Sequence, residues 1–118
     1  MEFIEYSKCS TCKKAKNFLE VNGVEFNNRE IKNETPTKEE IDLWIRKYNI
    51  GVNKLFNTSG LIYRNLNLKD KLKDMSYEEK IDLLSSNGML IKRPLLLSDD
   101  KILIGFKQKQ WEDYFKSK

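Results

Sequence analysis

Residues 3–27 read as strand, helix, strand, and the only two cysteines of the chain sit at the first junction. Phe3-Ile4-Glu5-Tyr6 is a short apolar strand. Thr11 to Asn22 carries a helical pattern with Ala15, Phe18 and Leu19 on one face, and Val24-Glu25-Phe26-Asn27 alternates as a second strand. Asn22-Gly23 stops the helix, glycine being the common residue just past a helix end. This order within about thirty residues predicts a βαβ unit with a parallel strand pair. At the first junction lies Cys9-Ser10-Thr11-Cys12. A thiol there faces the positive end of the helix dipole and free backbone N–H groups, and both favour thiolate, the reactive species. A second thiol one turn later is close enough to attack whatever the first has bonded. The pair therefore points to sulfur redox chemistry.

The rest of the chain supplies a second half. Thr37-Lys38-Glu39-Glu40 is a capping box after Pro36 and starts a helix with Ile41, Trp44, Ile45 and Tyr48 on one face, broken at Asn49-Ile50-Gly51. Asn57-Thr58-Ser59-Gly60 reads as a loop flanked by short helical pieces around Leu55-Phe56 and Tyr63-Leu66. Ser76-Tyr77-Glu78-Glu79 is a second capping box, whose helix turns Tyr77, Ile81 and Leu84 inward and stops at Asn87-Gly88. Leu95-Leu96-Leu97 and Ile102-Leu103-Ile104 flank the turn Ser98 to Lys101 and predict an antiparallel hairpin. A closing helix carries Trp111, Tyr114 and Phe115 at core spacing. The fold class expected is α/β: a βαβ unit plus a ββα unit in a thioredoxin-like arrangement. Residues 1–118 then form a single domain, with a helical insertion at about 36–88 between the halves.

Composition narrows the chemistry. The chain has no histidine, which removes Cys-His and Ser-His nucleophile arrangements and any His-ligated metal site. With no second CxxC, no metal site is expected, and Asp99-Asp100 reads as a hairpin turn. The 22 basic and 18 acidic residues leave a net charge of +4 with lysines scattered among acids, so direct nucleic-acid binding is not expected. No apolar run approaches a membrane span, and Met1-Glu2-Phe3-Ile4-Glu5 is not a signal peptide. The expected location is cytoplasmic. There a cysteine pair reads as catalytic, redox-sensing or metal-binding rather than structural.

Lys92-Arg93-Pro94 precedes the first hairpin strand. A thioredoxin-like arrangement sets this segment beside the CxxC, so Arg93 can reach Cys9. A guanidinium near a thiol favours thiolate and offers a planar fork to an oxyanion or carboxylate.

With these motifs in this order, together with Ile104-Gly105-Phe106, the chain resembles the ArsC/Spx family over nearly its whole length. Leu55-Phe56-Asn57-Thr58, Tyr63-Arg64-Asn65-Leu66 and Ile91 to Leu96 resemble its small uncharacterised ArsC-like members most. The resemblance implies a thioredoxin-like fold with a helical insertion and a cis proline at Pro94. It implies Cys9 as the nucleophile of an arsenate reductase-like enzyme, Arg93 as an anion-holding residue, and Cys12 as the second cysteine of a redox switch. Ser10, Thr11, Arg64 and Pro94 join them as substrate-binding candidates. Ser59 stands where relatives commonly have Arg, and no Arg lies near Phe106 and Lys107, so arsenate shares the field with a disulfide substrate. The implied reductant is a glutathione-like small thiol or a redoxin, with no bound cofactor. The alternative is an Spx-type regulator that binds RNA polymerase through a Cys9–Cys12 switch, with Gly51 matching a glycine at that contact. The extended tail of Spx has no counterpart after the last helix, which favours the reductase.

Overall fold

The computed structural model describes residues 1–117, and Lys118 lies outside the described residues. In chain order the elements are β1 (Glu2–Glu5), α1 (Ser10–Val21), β2 (Asn27–Glu30), α2 (Lys38–Lys47), α3 (Leu61–Asn65), α4 (Leu68–Lys71), α5 (Tyr77–Ser86), β3 (Leu95–Leu97), β4 (Ile102–Ile104) and α6 (Gln108–Lys116). Single 3-10 turns occupy Val52–Leu55, Leu72–Asp74 and Gly88–Leu90. The chain divides into two compact units, Met1–Glu30 with Arg93–Lys118, and Ile31–Lys92.

The first unit holds the sheet, in the order β2-β1-β3-β4. β1 runs parallel to β2 and antiparallel to β3, and β3 pairs antiparallel with β4. The register sets Phe3 opposite Leu96 and Leu96 opposite Leu103, so these three side chains form a row on one face. They pack with Ala15 and Leu19 of α1 and Trp111 and Tyr114 of α6. Burying each large apolar side chain contributes about 1.5–3 kcal/mol. Phe3 also meets Trp111 edge-on at 6.5 Å between ring centroids. A βαβ unit joined to a ββα unit, with a helical stretch inserted between them, is the thioredoxin-like α/β fold expected from the sequence.

The second strand corrects that expectation in position. It begins at Asn27, not Val24, and its residues Asn-Asn-Arg-Glu are polar. Val24 and Phe26 alternate because both pack against the core on the way into the strand. β2 is an edge strand held by its backbone pairing to β1 and by Arg29, whose guanidinium meets Glu2 at 3.0 Å.

The second unit is helical, with one isolated antiparallel bridge between Phe56 and Ile91. Thr37 and Ser76 complete the two expected capping boxes at α2 and α5. Ile41 and Trp44 of α2 and Ile81 and Leu84 of α5 are buried. Tyr77, expected to point inward, is instead 38% exposed. Its hydroxyl donates to Asp42 of α2, which keeps the ring at the surface while Ile81 and Leu84 take the inward positions. α4 is an element the sequence reading does not contain. Leu68 and Leu72, four apart and both buried, carry it. Among the described residues, no helix is long and apolar enough to cross a membrane.

Candidate active site

The chain leaves β1 at Glu5, and the Tyr6 carbonyl accepts the Cys9 N–H at 3.0 Å. That turn delivers Cys9 as the N-cap of α1, in extended backbone with φ −92° and ψ 121°. The Cys9 carbonyl accepts the first helical bond, from Lys13 at 3.1 Å, and its Sγ accepts the Cys12 N–H at 3.3 Å. Sulfur here fills the acceptor role that a serine or aspartate oxygen usually fills at a helix start. The N–H groups of the first helical turn have no acceptor within the helix, and Ser10 and Thr11 occupy its first two positions, both exposed. Gly23, at φ +67°, takes the left-handed position that closes the other end of α1.

The two cysteines are free thiols in unlike surroundings. Cys9 is half-buried, whereas Cys12 lies on the inner face of α1 with Ala15 and Leu19 and has no exposed surface. Burial pushes the Cys12 thiol from 9.0 up to about 12; a backbone hydrogen bond with Tyr6 opposes this, neighbouring Cys9 adds to it, and the charge of Arg93 opposes it. One turn further along α1, Lys16 pairs with the buried Glu5 carboxylate at 3.1 Å and ties the helix to β1.

The Arg93–Pro94 peptide bond is cis, as the family resemblance implied. The Pro94 carbonyl accepts the Gly105 N–H at 2.8 Å, and the Gly105 carbonyl accepts the Trp111 indole N–H at 3.1 Å. Gly105 makes this turn at φ +74°, a region open to glycine. Pro94 is thereby anchored through β4's end to the buried Trp111. The Arg93 guanidinium lies over the Tyr6 ring, 5.3 Å from its centroid.

Cys9, Ser10, Thr11, Cys12, Arg93 and Pro94 all belong to the first unit. Arg64 is exposed on α3 in the second unit, and Ser59 is exposed in its loop, with its hydroxyl donating to Asn57 at 3.2 Å. Lys107 is exposed at the start of α6. Tyr6 is the site residue that sequence reading missed. Its one signal is an aromatic side chain three residues before Cys9, which also reads as an ordinary strand residue. A groove of about 550 Å³ between α1 and α6, lined by Phe18, Phe106 and Phe115, includes neither cysteine. Among the described residues, no cluster of three or more Cys, Asp or Glu side chains is arranged to hold a metal ion.

A half-buried cysteine capping a helix, a buried partner one turn on, and a cis proline after an arginine agree with the family expected from the sequence. The ArsC family pattern matches residues 4–114. The chain belongs to the ArsC family. The uncharacterised protein YusI of Bacillus subtilis is 48% identical over 113 residues, covering 96% of each chain. The regulatory protein MgsR of Bacillus subtilis is 32% identical over 106 residues, covering 90% of this chain and 82% of MgsR. A crystal structure described as a possible arsenate reductase from Streptococcus mutans superposes with a TM-score of 0.83 at 42% identity. It covers 94% of this chain and 96% of that one. The chain is thus similar both to a protein named a regulator and to one described as a possible arsenate reductase.

Proposed function

We propose that this chain is a thiol-dependent reductase, acting in the cytoplasm, with Cys9 as nucleophile and an oxyanion such as arsenate or a disulfide as substrate. The observation that carries this reading is the Cys9 Sγ itself. It is half-buried, caps a twelve-residue helix and already accepts the Cys12 N–H. A sulfur in that position is accessible to substrate and sits at the start of the helix, where the first-turn N–H groups lack helical acceptors.

With a disulfide R–S–S–R′, the Cys9 thiolate attacks one sulfur and the S–S bond breaks. R′S⁻ leaves and takes up a proton. With arsenate, Cys9 displaces water from arsenic and forms a sulfur–arsenic bond. Cys12, or a small thiol such as glutathione, then attacks the Cys9 sulfur. This step expels RS⁻ or releases arsenic, reduced by two electrons, as arsenite. The disulfide that remains, Cys9–Cys12 in the first case or Cys9 with the small thiol in the second, is reduced back to thiols by a redoxin or by further small thiol. Burial keeps Cys12 protonated at neutral pH while Cys9 is free, and neighbouring Cys9 reinforces it. Ser10 and Thr11 offer backbone N–H groups to the bound anion, Arg93 neutralises it, and Pro94 shapes the edge of the site.

A second reading is favoured by the 32% identity to MgsR, named a regulatory protein. In it, the Cys9–Cys12 disulfide changes the surface presented to RNA polymerase, and oxidation acts through a difference in affinity between the two states. Turnover separates the readings. Reduced protein is assayed with arsenate and with small disulfides, using glutathione and a glutaredoxin or a thioredoxin system as electron source. The reductase reading predicts multiple turnovers, abolished in Cys9→Ser. Absence of turnover with every substrate, alongside polymerase binding that depends on the thiol state, would establish the regulator instead.

A further inference from the structure

Tyr6 meets the thiol site through both its backbone and its ring. Its carbonyl accepts the Cys9 N–H at 3.0 Å, and its ring lies under the Arg93 guanidinium at 5.3 Å. An arginine side chain has several freely rotating bonds, so its charge is spread over many positions unless something holds it. An aromatic face within about 6 Å holds a guanidinium through the ring quadrupole and by stacking on its flat surface. The residue after Arg93, Pro94, is tied down by its carbonyl, which accepts the Gly105 N–H at 2.8 Å. The charged end of the Arg93 side chain is thus held against the Tyr6 ring.

Resting on the reductase reading above, we infer that Tyr6 is a positioning residue, whose ring holds the Arg93 guanidinium as a fixed positive platform beside the Cys9–Cys12 pair and so makes the site select anionic over neutral substrates. The preferred electrophile then carries a negative group close to the reacting atom. An oxyanion does so, and so does a disulfide bearing a carboxylate. A neutral disulfide of the same size gains nothing from the platform.

The test compares alkylation of Cys9 by iodoacetate, which is anionic, and iodoacetamide, which is neutral and of nearly the same shape. The ratio of the two rates reads the positive field at the sulfur, and the iodoacetamide rate controls for folding and thiol access. Arg93→Ala is expected to lower the ratio about three- to ten-fold, the size of one unit charge at close range in a hydrated site. Tyr6→Leu is expected to lower it most of the way to the Arg93→Ala value. Tyr6→Phe, which keeps the aromatic face, retains the wild-type ratio. The double variant Tyr6→Leu/Arg93→Ala falls no further than Arg93→Ala alone. A wild-type ratio in Tyr6→Leu, with a lowered one in Arg93→Ala, overturns the positioning role and leaves the reductase reading standing. An unchanged ratio in Arg93→Ala removes Arg93 from anion binding and takes the inference down with it.

Discussion

Two residues separate Cys9 from Cys12, yet a single helical turn carries one sulfur to the surface and the other into the core. Cys9 caps the helix and meets solvent; Cys12 has no exposed surface, and burial raises its thiol to about 12. The sign of the linked stability follows. Below the unfolded thiol value of 9.0 both states are protonated and Cys12 costs nothing. Above it, the unfolded chain releases the proton while the folded one keeps it, so stability is lost as pH rises from 9.0 towards about 12. Within that window, denaturant unfolding of the wild type should lose about 1.4 kcal/mol per pH unit relative to Cys12→Ala. Parallel curves for the two proteins would show that Cys12 is not protected by burial. Cys9→Ser is the clean companion variant, because serine is itself a good N-cap and keeps α1 started while removing the sulfur.

The helices that frame the second unit are begun by side chains whose roles are legible in the sequence. Thr37 and Ser76 each precede a glutamate by three residues, and both boxes form. Ser76→Ala should cost about 1 kcal/mol in urea unfolding. The Ser76 backbone N–H, donating at 2.9 Å, and then its side chain hold the Glu79 carboxyl below its usual range. The box therefore stabilises the protein above the ordinary glutamate value and loses that contribution as pH falls through the lowered folded value. Glu79→Gln should show a shallower loss of stability on acidification than the wild type; an identical pH profile would show that the carboxylate adds nothing. Elements without such local chemistry were harder to see. β2 is a polar edge strand whose position is set by pairing with β1, and no side-chain pattern in Asn27–Glu30 announces it. α4 is a four-residue turn marked only by Leu68 and Leu72. Tyr77 sits in the right helix on the wrong side, because a hydroxyl partner on α2 outweighed the burial its ring pattern suggested.

At the scale of the whole chain, the order of elements and the placing of the thiols were readable because both follow local rules. A strand, a cysteine-capped helix and a parallel strand leave few ways to fold, and the apolar hairpin and aromatic closing helix complete the sheet and its cover. The Tyr6–Arg93 stack was not readable, since it joins positions 87 residues apart in sequence through a contact that only the folded sheet creates. The central claim is that Cys9 reacts first and Cys12 resolves. The most direct measurement is mass spectrometry of reduced protein treated with glutathione disulfide, in the wild type, Cys9→Ser and Cys12→Ser. The wild type should pass to an internal Cys9–Cys12 disulfide with no glutathione retained, Cys12→Ser should trap one glutathione on Cys9, and Cys9→Ser should stay unmodified. Glutathione trapped on Cys12 in Cys9→Ser at the wild-type rate, or a wild type that stays fully reduced, would contradict it.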